Sequence, residues 1–143
     1  MKLKPSPAME LKKLREKIDD ILDRGVEQFL LPFADTEKPI YIYVYGYTPC
    51  FNDGDPCTHS SYAEDKDGIL ADDIIEYSSG IFGDLTRSDV YDSADWPETE
   101  EFKEAIKAVK EVLDYKYDTD YQVLITIKDK NVCCIKDDYD CGY

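Results

Sequence analysis

The chain has 143 residues, 43% of them apolar, and its 32 acidic and 17 basic side chains give a formal net charge of −15. A single domain of this length buries a real core without disulfides or a metal, and the apolar share excludes a disordered acidic tail. So negative a field repels nucleic acid and anionic membranes and attracts basic proteins or cations.

Ser6-Pro7 opens a first helix, with Ser6 as cap and Pro7 at a position whose missing N–H would be unpaired anyway. Leu11, Leu14, Ile18, Ile21 and Leu22 form an apolar stripe at helical spacing, and Gly25 closes the helix after Arg24. "VEQFLLPF" (26–33) fits one more helical turn that docks into the core and stops at Pro32.

"PIYIYVYGYTP" (39–49) is the clearest strand. Side chains alternate along a strand, so Ile40, Ile42 and Val44 face one way and Tyr41, Tyr43, Tyr45 and Tyr47 the other. The aliphatic set is core. The tyrosines read as a second packed face, because a base-stacking platform works inside a basic groove and this chain offers none. "NDGD" (52–55) is hairpin-turn chemistry, which predicts that 57–64 returns antiparallel.

"EDKDG" (64–68) reads as a second turn, and 69–78 as a short helix ended by Gly80 and Gly83. Residues 86–100 read as an acidic loop. A second long helix follows, with Phe102, Ala105, Ile106, Val109, Val112 and Leu113 on one stripe and Asp95 or Thr99 as cap. "DYQVLITIKDKNVCCIKDD" (120–138) is a hairpin that turns at "DKN". The expectation is a single α+β domain spanning 1–143. Its mainly antiparallel four-stranded sheet comprises 40–48, 57–63, 120–128 and 132–136. Two long helices, 7–24 and 99–115, and the shorter one pack on it.

The odd number of cysteines (Cys50, Cys57, Cys133, Cys134 and Cys141), with no apolar leader before them, points to reduced thiols in a cytoplasm. No apolar run approaches the ~18 residues of a membrane span.

Cys50, Cys57 and His59 tempt a zinc or Cys–His reading. Zinc sites favour close C-x₂₋₄-C knuckles. Here the spacing is C-x₆-C, and Cys133 and Cys134, as strand neighbours, would point to opposite faces. The expected arrangement buries one of that pair and covers the other with a loop. Calcium-loop counts from Asp53 and from Asp65 place Thr58 and Leu70 where the turn requires glycine. His59 is the only histidine, and no nucleotide loop or nucleophile-elbow motif is present. No cofactor is expected. A metal-dependent or thiol enzyme centred on Cys50, Cys57 and His59 is the alternative reading.

The distribution of charge says more. Residues 1–24 hold seven basic and five acidic side chains, whereas 49–101 hold fifteen acidic and two basic. Asp53/Asp55, Asp65/Asp67, Asp118/Asp120 and Asp138/Asp140 stand i, i+2, which on a strand places each pair on one face about 7 Å apart. Asp72/Asp73/Glu76 and Glu100/Glu101/Glu104 would line helix faces. Carboxylates at such spacing can stand in for a phosphate backbone in another protein's basic groove. This predicts a non-enzymatic protein that binds and blocks a basic nucleic-acid-handling protein and touches neither nucleic acid nor membrane. The expected contact residues are Asp53, Asp55, Asp65, Asp67, Asp72, Asp73, Glu76, Asp84, Asp89, Asp92 and Asp95. The plainer reading is a solvated acidic face.

Tyr47, Thr48, Pro49, Phe51, Asn52, Asp53, Gly54, Asp55, Pro56 and Cys57 form a tract that resembles one in uncharacterised small acidic proteins of phages and bacteria, with Cys50 where those carry an aromatic. The tail "DDYDCGY" is similar to theirs. The resemblance implies no activity. It implies phage origin, and with it a host nuclease or DNA-guided defence complex as the protein to be blocked, in the host cytoplasm.

Overall fold

The computed structural model describes residues 6–47, 60–72, 74–77, 79–117 and 120–138. The organising element is β1 (Ile40–Tyr47), which pairs antiparallel with β2 (Ser60–Glu64) on one side and β3 (Tyr121–Lys128) on the other. β4 (Asn131–Asp138) pairs with β3, so the sheet runs β2-β1-β3-β4. Ile42 stands opposite Ile125, and Val44 stands between Ala63 and Val123. The hairpin β3–β4 turns on Asp129 and Lys130, whose φ values of 50° and 65° are those of a two-residue turn that follows the strands' twist.

Both faces of the sheet are covered. Ile40, Ile42, Val44, Tyr121, Val123, Ile125 and Ile127 lie in the same core as the apolar stripe of α7 (Glu100–Tyr117) and as Leu30 of α2 (Glu27–Leu30). The other face carries Tyr41, Tyr43 and Leu124 under four short helices, α3 (Lys66–Ala71), α4 (Ile74–Tyr77), α5 (Ser79–Phe82) and α6 (Arg87–Tyr91). Ile69, Ile74, Ile81, Phe82 and Val90 fill that second core. From Tyr41 to Tyr45 the tyrosine side of β1 is therefore a packed face, as its alternation with no basic groove implied, and the side chain of Tyr47 lies outside the description. Tyr43 Oη donates to the buried Gln122 Oε1 at 2.8 Å, which partners a polar side chain that alternation sends into this layer.

Several local expectations are corrected. The short helix expected over 69–78 is two helices, α3 and α4, and a third, α5, follows. The first starts earlier, at Lys66, because Asp65 caps it by accepting from Gly68 N–H at 3.0 Å, so "EDKDG" begins a helix and does not form a separate turn. Gly80 lies inside α5 and does not end a helix. The acidic segment 86–100 contains α6, entered through a reciprocal cap. Thr86 Oγ1 accepts from Asp89 N–H at 3.2 Å and Asp89 Oδ2 accepts from Thr86 N–H at 2.9 Å. Thr99, and not Asp95, caps α7, accepting from Phe102 N–H at 3.2 Å. Residues 31–33 continue as a 3₁₀ turn through Pro32. Cys133 and Cys134 are both exposed, because β4 is the edge strand and no loop among the described residues covers it.

The largest departure concerns α1 (Pro7–Arg24). Its bounds are those expected, with Ser6 accepting from Met9 N–H at 3.2 Å. Yet none of its residues is buried, and only Ile21 and Leu22 pack against the core. Gly25, at φ 76°, redirects the chain after the last turn, and Gln28 Nε2 pins that turn by donating to Ile21 O and Gly25 O at 2.7 Å each.

Candidate functional site

The acidic residues fall into three groups. Asp53, Asp55 and Asp73 lie outside the described residues, as do Cys50, Cys57 and His59. Asp65 and Asp89 are occupied as helix caps. Asp67, Asp72, Glu76, Asp84, Asp92 and Asp95 are exposed on the short-helix side of the molecule. The expected strand spacing is not what arranges them. Asp65 and Asp67 sit at the start of α3, and Asp72 is the residue that ends it, so Asp72 and Glu76 do not share one helix face.

Tertiary packing brings Asp65, Asp67 and Asp95 together. With Glu98 they line a cleft of about 440 Å³ whose floor is Trp96, Pro97, Phe102 and Ile106. Lys66, beside the cleft, ties two of its elements together. Its ammonium donates to Ser93 O at 3.0 Å and pairs with Asp95 at 3.4 Å, which clamps the segment after α6 against α3. Trp96 is held from the other side, donating Nε1–H to Tyr41 O at 3.0 Å and lying 5.5 Å from the Phe102 ring. Lys66 is one of the two basic residues between 49 and 101, and it is spent in this clamp. Lys103, at the cleft's α7 side, pairs with Glu100 at 3.5 Å.

Trp96 and Glu98 belong to the site, though charge counting alone does not select them. The signal was "DWPE", a single tryptophan flanked by carboxylates in a segment without apolar periodicity. An indole face with carboxylates around it has the chemistry to receive an arginine or lysine side chain.

Crowding of negative charge shows at Glu64, at the end of β2. Burial, then the charges of Asp72 and Asp65, push its carboxyl above the usual carboxylate range. A carboxyl whose folded pKa is raised holds its proton more tightly when folded. Its contribution to stability is therefore full at low pH and is lost as pH rises from the unfolded pKa through the folded one. Glu64→Gln should raise the melting temperature at pH 7 and leave it unchanged near pH 4, read by thermal melts across pH. A melt lowered at pH 7 would mean that the carboxylate is held by favourable contacts instead.

The described thiols do not build a reactive centre. Burial first, then the Glu27 carboxylate, push the Cys134 thiol up to about 12, although the residue as a whole is exposed on β4. Its shallow surroundings include Glu27, Val112 and Tyr117. Because the thiolate is the nucleophile, alkylation of Cys134 by iodoacetamide at pH 8 should be at least about tenfold slower than that of an ordinary thiol, followed by peptide mass spectrometry. Labelling at the ordinary rate would show that solvent reaches the sulfur freely. Among the described residues no group of three or more His, Cys, Asp or Glu side chains is arranged to hold a metal. No helix among them is long and apolar enough to cross a membrane.

With the cleft and the acidic face in view, comparison of the chain with protein-family models, curated proteins and solved structures finds no match.

Proposed function

We propose that this protein is a non-enzymatic blocker of a basic, nucleic-acid-handling protein, acting through the carboxylates of the short-helix side. The observation that carries the reading is the cleft in which Asp65, Asp67, Asp95 and Glu98 surround Trp96, set in a segment where acidic residues outnumber basic ones fifteen to two. The cleft would seat an arginine of the partner, its guanidinium over the indole and its N–H groups on the carboxylates. Asp72, Glu76, Asp84 and Asp92 would meet the surrounding Arg and Lys in place of phosphates. Mounting Asp65 and Asp67 at the capped start of α3 favours such a role, since rigid carboxylates lose little freedom on binding.

The likeness of the Tyr47–Cys57 tract to phage proteins supports a bacterial target and action in the host cytoplasm. The test is capture from bacterial lysate on the immobilised protein at low and at high salt, with DNA as competitor. One basic nucleic-acid-handling protein should be enriched, lost at high salt and displaced by DNA. A captured protein that resists both salt and DNA would overturn groove occupation. Stoichiometric zinc with no captured protein would return attention to Cys50, Cys57 and His59.

A further inference from the structure

Three side chains of the α1 stripe are left largely exposed by the described residues. Leu11 is 49% exposed, Leu14 55% and Ile18 42%, although the helix is amphipathic and its last turn is fastened to the body. Leu11, Leu14, Ile18 and Ile21 follow one another at steps of three, four and three, the spacing of a two-helix seam. The stripe leads onto the body. Ile18, Ile21 and Leu22 of α1 line a shallow, mainly apolar groove with Glu111, Val112 and Tyr115 of α7, and Tyr115 is 73% exposed.

We propose that this face is covered by α1 of a second copy of the chain, packed antiparallel in a two-fold dimer. Charge sets the orientation. Residues 7–17 carry four basic and two acidic side chains, whereas 18–24 carry one basic and three acidic. Antiparallel pairing lays the basic half of each helix along the acidic half of the other. Parallel pairing would lay like on like and set two strongly acidic bodies side by side.

The register follows from the seam. Leu14 meets the second copy's Ile18, and Leu11 meets its Ile21, so Leu11 enters the groove formed by Ile21, Leu22, Val112 and Tyr115 of the other body. The two-fold repeats this insertion, as an isologous interface requires. Along the seam's edge Glu10 faces the second copy's Arg24. Near the axis Arg15 and Lys17 each approach their own copies, and their long stems let the charged heads turn to water. The dimer uses none of the carboxylates of the cleft.

The test is sedimentation equilibrium of the full chain from about 1 to about 200 µM. The wild type should show a concentration-dependent monomer–dimer equilibrium. Leu14→Glu should weaken it about a hundredfold or more, with an unchanged melt at low concentration, because Leu14 is exposed and does not pack against the core in the single copy. Glu10→Lys should weaken the dimer, and adding Arg24→Glu should restore it. A wild type that stays monomeric throughout, or a Leu14→Glu variant that dimerises as the wild type does, overturns the proposal. Failure of the charge swap to restore association overturns the antiparallel arrangement.

Discussion

Gly46→Ala should cost about 3 kcal/mol and lower the melting temperature by about 10 °C, although it adds a single methyl group. β1 presents Ile40, Ile42 and Val44 to the main core, and Gly46 occupies the next place on that face. The missing side chain is supplied from the neighbouring strand. Tyr121 stands opposite Gly46, and its ring lies where a β-carbon would go, 2.6 Å from the ideal Cβ position. The ring cannot simply swing away. Its hydroxyl donates to Asp114 Oδ1 at 2.6 Å, and Ser61 Oγ donates to Asp114 Oδ2 at 3.0 Å. These bonds tie β3 and β2 to α7 across the glycine. Burial first, then the hydrogen bond to Asp114 and its charge, push the phenol far above its ordinary pKa, so it stays a donor throughout the working pH range.

A double-mutant cycle separates this account from a general intolerance of strand substitutions. Tyr121→Ala alone should cost about 3–5 kcal/mol through the cavity it leaves. Combined with Gly46→Val, it should cost clearly less than the two single changes added together, because the new side chain takes up space that the ring has vacated. Strict additivity in urea titrations would mean that Gly46 is needed for its backbone and not for the ring above it.

The same pair shows what was legible in the sequence. Alternation over 40–45 and 121–127 identified both strands and their inward faces, since period two is a local property. That Gly46 leaves a gap, and that Tyr121 fills it, depends on which strand lies beside β1. The pairing joins residues 75 positions apart, and no local pattern encodes it. Long helices are readable for the same reason that strands are, whereas of the four short helices over β1 the pattern shows only one merged helix over 69–78, where α3 and α4 lie, and misses α5 and α6. Each is held by a cap or by tertiary contact, and none has enough turns to show a periodicity. Thr86-x-x-Asp89 did carry a cap signature, masked by the acidic composition around it.

At the candidate site, charge counting found the segment but not its geometry. Asp65 and Asp67 were paired on strand spacing, yet it is the Lys66 clamp that brings them near Asp95. For α1 the stripe predicts a helix packed on the sheet, because amphipathic helices usually bury their apolar side. The exit at Gly25 sends most of that stripe away from the body, which a periodicity cannot show.

The triple reversal Asp67→Lys, Asp92→Lys and Glu98→Lys should raise the dissociation constant for the captured basic partner about a thousandfold at low salt, equivalent to about 4 kcal/mol. All three side chains are exposed, and none serves as a side-chain cap in the structure. The fold should therefore tolerate the change. Lysine after α6 suits the end of a helix, and lysine in the first turn of α3 opposes its dipole by only a few tenths of a kcal/mol. Relief of self-repulsion works in the same favourable direction. Much of the binding loss should appear as slower association, because a field of this size steers an oppositely charged partner.

Net charge and local geometry make different predictions, and a matched control separates them. Asp35→Lys, Glu37→Lys and Asp129→Lys change the total charge by the same amount with exposed residues outside the 49–101 segment. If the acidic face is the contact surface, the control should weaken binding by no more than about tenfold, the part due to long-range steering that salt screens. Equal losses for both triples would show that the partner responds to total charge alone. The cleft around Trp96 would then have no special part in recognition, and Trp96→Phe should leave binding unchanged. If the face is specific, removing the indole should weaken binding while the salt dependence stays the same, since the cation over the ring is held by local contact that counterions do not reach.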